Sequence, residues 1–372
     1  MIYFDSAASY PLLPEVLDEL LRCFTEHPAN PSSAHLAGEA AAMKVEYARE
    51  LIADAIGALP SEIVFTSGAT ESNNLALKSH FYESANKDKR HLVISSIEHK
   101  CIHSISDYLR RIADVKVSLV HPNASGIITP EALEKVLENN TSLVSIMHLN
   151  NELGTANPIE AIGSLCFERG IKLHTDAAQS FLKLPIDVDD MNLDYLSLSA
   201  HKIGGPKGIG AIYIRDRRSR DIEPVIHSAG QEEGLRGGTL ATPLIASFGK
   251  AVEYFPTAYQ KLQTLQLKER LLGKLKALSV AFQLNGESID SLVSITLPNT
   301  DVPRLLRETA QQYTLATGSA CSSKEIEASH VLMAIGVQRN MAERTLRISF
   351  HHTLTPSDVD HLAESMALFT RQ

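Results

Sequence analysis

The stretch SLSAHKIGGPKGIG, Ser197–Gly210, decides how the rest of the chain is read. A largely apolar run, Leu193 to Leu198, carries the chain straight into Ser-Ala-His-Lys. Gly204, Gly205, Pro206 and Gly208 then hold it in a tight loop before a second apolar run, GAIYI (Gly210 to Ile214). Open α/β sheets present ligand-binding groups where buried strands stop, at their carboxyl ends. Lys202 sits at such a strand end, and its position asks for a chemical reason.

Similar runs recur upstream. EIVFT (Glu62 to Thr66), HLVIS (His91 to Ser95), VKVSLV (Val115 to Val120), LVSIMHL (Leu143 to Leu149), IKLHTD (Ile171 to Asp176) and YLSLS (Tyr195 to Ser199) read as strands. Most are almost continuously apolar, as expected of strands covered on both faces. Segments between them, such as Glu131 to Leu137 and Ile159 to Phe167, have helical spacing. The alternation predicts an α/β domain with a largely parallel sheet. After about Gly249 the texture changes. A long helical stretch, Tyr254 to Leu278, leads to the strand-like LVSITL (Leu292 to Leu297) and TLRISF (Thr345 to Phe350), predicting a smaller α+β domain. The expected division is 12–255 for the large domain and 1–11 with 256–372 for the small one.

The 372 residues are 44% hydrophobic and 21% charged, within the range of globular chains. A formal net charge of -9 argues against a protein built to grip nucleic acid. The one dense basic run, Arg215, Arg217, Arg218 and Arg220, reads as a solvated loop, with a docking patch for an acidic partner as the alternative. No apolar run approaches the roughly 20 residues of a membrane span. The amino terminus, MIYFDSAASY, lacks the basic-then-apolar order of a signal peptide. The cysteines, Cys23, Cys101, Cys166 and Cys321, show no C-x-x-C pair and no metal-ligand spacing. A cytoplasmic protein without membrane segment, metal or disulfide framework is expected.

Five strand ends carry polar clusters: TSGATES, SIEHK, HLNNELG, HTDAAQS and SAHK. Their convergence predicts an active site. TSGATES (Thr66 to Ser72) is a glycine turn opening a helix; it suits a phosphate, or is a plain N-cap at Ser67 or Thr70. Asp176 is either an N-cap or a partner for a protonated ring nitrogen. His99 is either a structural imidazole or a ring stacked on a planar cofactor. Lys202 is an amine whose desolvation would make it a nucleophile, whereas Lys207 reads as a surface lysine. An amine, a carboxylate, a flat imidazole and a phosphate cradle are the set that holds pyridoxal phosphate. Late in the chain, ATGSACSS (Ala316 to Ser323) surrounds Cys321 with small residues, unlike the helical settings of Cys23, Cys101 and Cys166, which read as buried and inert. Arg347, inside an apolar strand, calls for a carboxylate.

With those residues in view, the chain resembles the cysteine desulfurases of the NifS type, among the aspartate-aminotransferase-like pyridoxal phosphate enzymes (fold type I, class V aminotransferase family). The motifs FTSGATESNNLA, EHK, SIMHLNNELGT, HTDAAQS, LPIDV, SAHKIGGPKGIGA, RGGT and TGSACSS carry the resemblance, in order along nearly the whole chain. It implies that Lys202 forms the Schiff base to the cofactor, Asp176 meets the pyridine nitrogen and His99 stacks on the ring. It implies that Gln179 and Asn151 contact the ring-oxygen side, and that Ala69, Thr70, Ser199 and His201 hold the phosphate. Thr239 would reach the phosphate of the neighbouring subunit in a homodimer. Arg347 would bind the substrate carboxylate, with Asn30 at the substrate entrance. The implied reaction converts L-cysteine to L-alanine, leaving a persulfide on Cys321 for a sulfur-acceptor protein.

The chain departs from the family pattern at FDSAASY and at Gly204, where a tyrosine is common, without loss of a catalytic group. It ends at Gln372, without the longer tail by which some relatives engage an iron–sulfur scaffold. That counts against a housekeeping iron–sulfur assembly role and leaves open a dedicated acceptor, such as a tRNA-thiolation or cofactor-maturation enzyme, beside it. The alternatives are a selenocysteine lyase or another β-eliminating enzyme, and a catalytically silent binding protein on the same scaffold. Cys321 favours desulfuration, because simple elimination needs no thiol acceptor.

Overall fold

The computed structural model describes residues 1–83, 88–219, 222–227, 230–261, 264–317 and 328–371. Its strands are β1 (Ile2–Tyr3), β2 (Ile63–Thr66), β3 (His91–Ser95), β4 (Lys116–Val120), β5 (Thr141–Ser145), β6 (Lys172–Asp176), β7 (Tyr195–Ser199), β8 (Gly210–Ile214), β9 (Gln283–Leu284), β10 (Leu292–Thr296), β11 (Tyr313–Thr314), β12 (Ala316–Thr317) and β13 (Thr345–Ser349). The helices are α1 (Pro14–Glu26), α2 (Leu36–Asp54), α3 (Ala69–Tyr82), α4 (Lys100–Ile112), α5 (Pro130–Glu134), α6 (Ile159–Glu168), α7 (Thr242–Lys261), α8 (Thr264–Ala277), α9 (Val302–Thr309), α10 (His330–Ala334), α11 (Arg339–Ala342) and α12 (Pro356–Leu368).

The large sheet has the order β2-β8-β7-β6-β5-β3-β4. β8 is antiparallel to both its neighbours, and the other pairs are parallel. All strands except β8 therefore point the same way, and their carboxyl ends open on one edge of the sheet. Alternation of side chains explains the continuous apolar runs. Phe65, Val144 and Leu198 join a core with α2, α6 and α7 on one face. Val64, Ile94 and Ile212 join a second core with α3 and α4 on the other. Each leucine or phenylalanine so buried contributes roughly 1.5–3 kcal/mol.

A smaller sheet, ordered β12-β13-β10-β9, has its own core. Leu267, Leu271 and Leu275 form a four-residue-spaced stripe on α8, and Val359, Leu362 and Met366 face them from α12. The amino terminus joins this assembly. β1 pairs with β11, and Asp5 bridges to Ser349.

Three sequence readings change in detail. β5 ends at Ser145, and residues 146–149 run beyond the sheet, tied to it by Ile146 N to His174 O and His148 N to Asp176 O. The helical stretch begins before Tyr254 and is described over α7 and α8, with residues 262–263 outside the described residues. α7 begins at Thr242 and contains Pro256, while Gly249 allows close approach to α2: a Cβ there would lie 2.8 Å from the Ala48 Cβ. The described members of the arginine run are paired rather than merely solvated. Arg215 meets Asp189, Arg218 meets Glu233, and the buried Arg217 donates to the Ser61 carbonyl; Arg220 lies outside the described residues. Among the described residues no helix is long and apolar enough to cross a membrane.

Gly210 starts β8 where that strand passes the turn after β2. A Cβ there would lie 2.4 Å from the Leu198 carbonyl oxygen and 2.6 Å from the Gly68 Cα. Both obstacles are backbone and cannot rotate away. Gly210→Ala should therefore destabilise the protein by about 1–3 kcal/mol in urea unfolding. Unchanged stability would mean that β8 shifts away from Gly68 freely.

Candidate active site

The carboxyl ends of β2, β3, β5, β6 and β7 do meet. They line one cavity of about 540 Å³ together with Ala7, Ala8 and Arg347. Of the residues predicted from the sequence, Ala69, Thr70, His99, Asn151, Asp176, Gln179, Ser199, His201, Lys202 and Arg347 all border it. Thr239 and Asn30 do not; both are exposed, and the Asn30 side chain accepts from the Ser32 N–H at 2.9 Å. Cys321 lies outside the described residues.

Lys202 ends the short helical turn that follows β7. Its Nζ donates to the carbonyl oxygens of Ala7, at 2.7 Å, and Ala8, at 2.9 Å. Burial lowers its pKa to about 8; Arg347 lowers it further, while Asp176 and Asp5 oppose. Asp176 terminates β6 and is buried. Its Oδ2 accepts from Asn73 Nδ2 at 2.8 Å, and its Oδ1 accepts from the Ala178 N–H at 2.9 Å. Gln179 donates from Nε2 to the Ala7 carbonyl at 2.5 Å and accepts from Lys183 Nζ at 3.3 Å.

The turn before α3 answers the question its sequence left open. The N-cap is Gly68, with φ of 148°, and no side chain caps the helix. Neither Ser67 nor Thr70 takes the capping role. A fourteen-residue helix thus opens its amino end beside a cavity, where backbone N–H groups and the helix dipole favour an anion. His99, by contrast, caps α4 by accepting the Cys101 N–H at Nδ1. Partial enclosure holds His99 below the usual imidazole range against the opposing pull of Asp176, and Lys202 and Lys100 add to the lowering. His201 is lowered to about 4 by burial, then by Lys202, Lys207 and Lys183.

Arg347 reaches the cavity from β13. Its Nη2 donates to Asp5 Oδ1 at 2.7 Å and its Nη1 to the Asn151 carbonyl at 3.0 Å. In register, Arg347 lies opposite Ala316 of β12. On the far side of residues 318–327, His330 Nε2 meets the Glu98 carbonyl at 3.0 Å and the Ser329 hydroxyl bonds the Glu152 carboxylate. Burial pushes Glu152 up to about 7, and burial likewise holds the fully enclosed Glu98 well above the carboxylate range.

Sequence reasoning missed several wall residues. Asn73 lies one helical turn beyond Thr70 and could have been found by that spacing. Cys101 is not fully buried: it is partly exposed on the cavity wall, two residues after His99. Lys207 is exposed, yet it borders the cavity as well. Ala7 and Ala8 contribute backbone carbonyls, which side-chain chemistry cannot announce.

The aminotransferase class-V family profile matches residues 2–362. A mitochondrial cysteine desulfurase of Candida maltosa is 39% identical over 98% of this chain and 76% of its own length. The cysteine desulfurase IscS of Vibrio atlanticus is 40% identical over 97% of this chain and 90% of its own. A solved structure of SspA in complex with cysteine superposes with a TM-score of 0.86 at 45% identity, covering 95% of this chain and 100% of that one.

An amine that loses its proton near pH 8 attacks carbonyl carbon only above that range, because the ammonium has no lone pair. Labelling of Lys202 by an aldehyde with borohydride trapping, read by peptide mass spectrometry, should rise with pH through about 8. Arg347→Gln removes a neighbouring positive charge and should move the midpoint upward. A midpoint near that of a free lysine in both proteins would show that Lys202 is not desolvated.

Proposed function

As a member of the aminotransferase class-V family, to which the chain belongs over residues 2–362, the protein is, we propose, a pyridoxal 5′-phosphate-dependent cysteine desulfurase. The observation that carries this reading is the sharing of one cavity by Lys202, Asp176, His99, the uncapped amino end of α3 and Arg347. This donor set fits the cofactor: an amine of lowered pKa, a buried carboxylate, a planar ring and an anion-binding helix end. Bound there, the cofactor supplies an aldehyde that joins amines and a ring that draws electrons from a substrate α-carbon.

Each side chain then has a task. Lys202 Nζ would hold the cofactor aldehyde and, as a free amine of lowered pKa, would serve as the base for the substrate α-proton. Asp176 would meet the ring nitrogen and His99 would stack on the ring. Gln179 and Asn151 would contact the ring-oxygen side. Ala69 and Thr70 offer N–H groups to the phosphate, with Ser199 and His201 beside them. Thr239, exposed and away from this cavity, serves the phosphate of a neighbouring subunit in a homodimer, and Asn30 belongs to the substrate entrance. Arg347 binds the carboxylate of L-cysteine. The Cys321 thiolate attacks the substrate sulfur. The C–S bond breaks, an S–S bond forms, the carbon skeleton takes up a proton and leaves as L-alanine, and Cys321 keeps a persulfide. The described residues flanking 318–327 support this role: Ala316 pairs with Arg347, and His330 bonds to Glu98.

We assign the cofactor to the 12–255 domain and place 1–11 with 256–372 in the smaller one. The persulfide passes to a sulfur-acceptor protein serving iron–sulfur clusters, tRNA thiolation or cofactor synthesis in the cytoplasm.

The test is incubation of the cofactor-loaded protein with L-cysteine and a thiol reductant, measuring alanine and sulfide. Wild type should produce both. Lys202→Ala should lose about 10²–10⁴-fold in rate. Cys321→Ala should still change the cofactor spectrum on adding L-cysteine but form no persulfide. A wild-type protein that binds the cofactor and makes no alanine from L-cysteine would sink the reading.

A further inference from the structure

Two residues on the cavity wall link groups that the proposed mechanism treats separately. Asn73 is fully buried, and its side-chain nitrogen has two hydrogens and two acceptors. Nδ2 donates to Asp176 Oδ2 at 2.8 Å and to Cys101 Sγ at 3.3 Å. Its Oδ1 is buried and has no partner among the described residues. A buried orphan acceptor is unfavourable, so the amide orientation must answer a stronger demand. Turning the amide over would set Oδ1 against the Asp176 carboxylate. The carboxylate thus dictates which way Asn73 points.

Cys101 extends the connection. Its Sγ lies 3.1 Å from His99 Nδ1, the same nitrogen that accepts the Cys101 backbone N–H at 3.3 Å. A ring nitrogen that accepts a backbone N–H carries its lone pair there, so the thiol hydrogen points to His99 and the ring proton resides on Nε2. Burial and then Asp176 push the thiol up to about 11, so it keeps a hydrogen to donate. Glu98 acts on the thiol in the same sense, while Asn73 and Thr70 oppose. Around His99 stand Asp176, Lys202 and Lys100, with the rings of His103 and His330 also within electrostatic reach.

We propose that Asn73 and Cys101 are positioning residues that join Asp176 to His99 in one hydrogen-bonded chain, holding both groups in register against the cofactor ring. This rests on the cofactor reading above and adds to it. The carboxylate and the imidazole are oriented together: the chain runs Asp176 carboxylate, Asn73 amide, Cys101 thiol, His99 imidazole. Loss of Cys101 leaves an Asn73 N–H without its acceptor, and loss of Asn73 leaves Asp176 Oδ2 and Cys101 Sγ without their donor; either change frees one end.

The S–H stretch of Cys101, isolated in the infrared as the difference between wild type and Cys101→Ser, reads the chain without cofactor. It should lie below the frequency of a free thiol and move upward in His99→Phe. A free-thiol frequency that ignores His99→Phe would overturn the proposal. In parallel, pyridoxal phosphate is titrated into each variant, and the absorption of the bound cofactor is followed with pH. Cys101→Ala should weaken binding by roughly threefold to tenfold and shift the pH profile. Cys101→Ser, which can still donate and accept, should restore both. Asn73→Ser serves as the second site, should Asn73→Ala not fold, and should weaken binding in the same direction. Binding and pH profile unchanged in Cys101→Ala would also overturn it. If wild type itself fails to bind pyridoxal phosphate, the cofactor reading falls, and the infrared band still decides whether the chain exists.

Discussion

An amine held out of water against two backbone carbonyls is the interaction on which this site depends. Lys202 Nζ bonds to Ala7 and Ala8, and Gln179 bonds to Ala7 as well. The carbonyls come from the amino-terminal segment, which is itself fixed by the pairing of β1 with β11 and by the Asp5–Arg347 ion pair. One lysine therefore ties the edge of the large sheet to a segment organised by the small one. The same enclosure that holds the ammonium also weakens its grip on the proton, so anchoring and chemical activation share a cause.

Charge around that amine is arranged in opposition. Arg347 lowers the lysine while Asp5 and Asp176 raise it, and Asp5 also pairs directly with Arg347. Glu98, fully buried and beside Asp176, is held toward its neutral form, and its carboxyl accepts the Met147 N–H. Lys183, lowered to about 7 by burial and then by Lys202, touches Gln179. Burial is the largest cause of each of these shifts, and the neighbouring charges adjust it.

The parallel strands were legible because burial on both faces demands apolar residues at every position. The strand ends were legible because a polar cluster directly after such a run has no place in a core covered on both faces, so it marks where the chain leaves that core. The end of β5 was less so. Ile146, Met147 and Leu149 keep the run mostly apolar because Met147 and Leu149 form cavity wall after the sheet has stopped, and periodicity does not distinguish wall from strand. Asn73 and Cys101 were overlooked because each looks ordinary in its own helix. Only their common neighbours, Asp176 and His99, make them notable.

What the sequence by itself determined is the inventory: an α/β scaffold, a lysine, a carboxylate, an imidazole and a glycine turn at strand ends, and a family resemblance dense enough to suggest the cofactor. These follow from local pattern, since strand burial and turn chemistry are written in neighbouring residues. Tertiary structure decided which of them meet. It brought Arg347 beside Asn151 and Asp5 across separations of 196 and 342 residues. It left Thr239 and Asn30 outside the cavity of this chain, and it turned the Asn73 amide toward Asp176. Such contacts depend on how two cores pack against each other, and the packing of distant segments leaves no periodic trace along the chain.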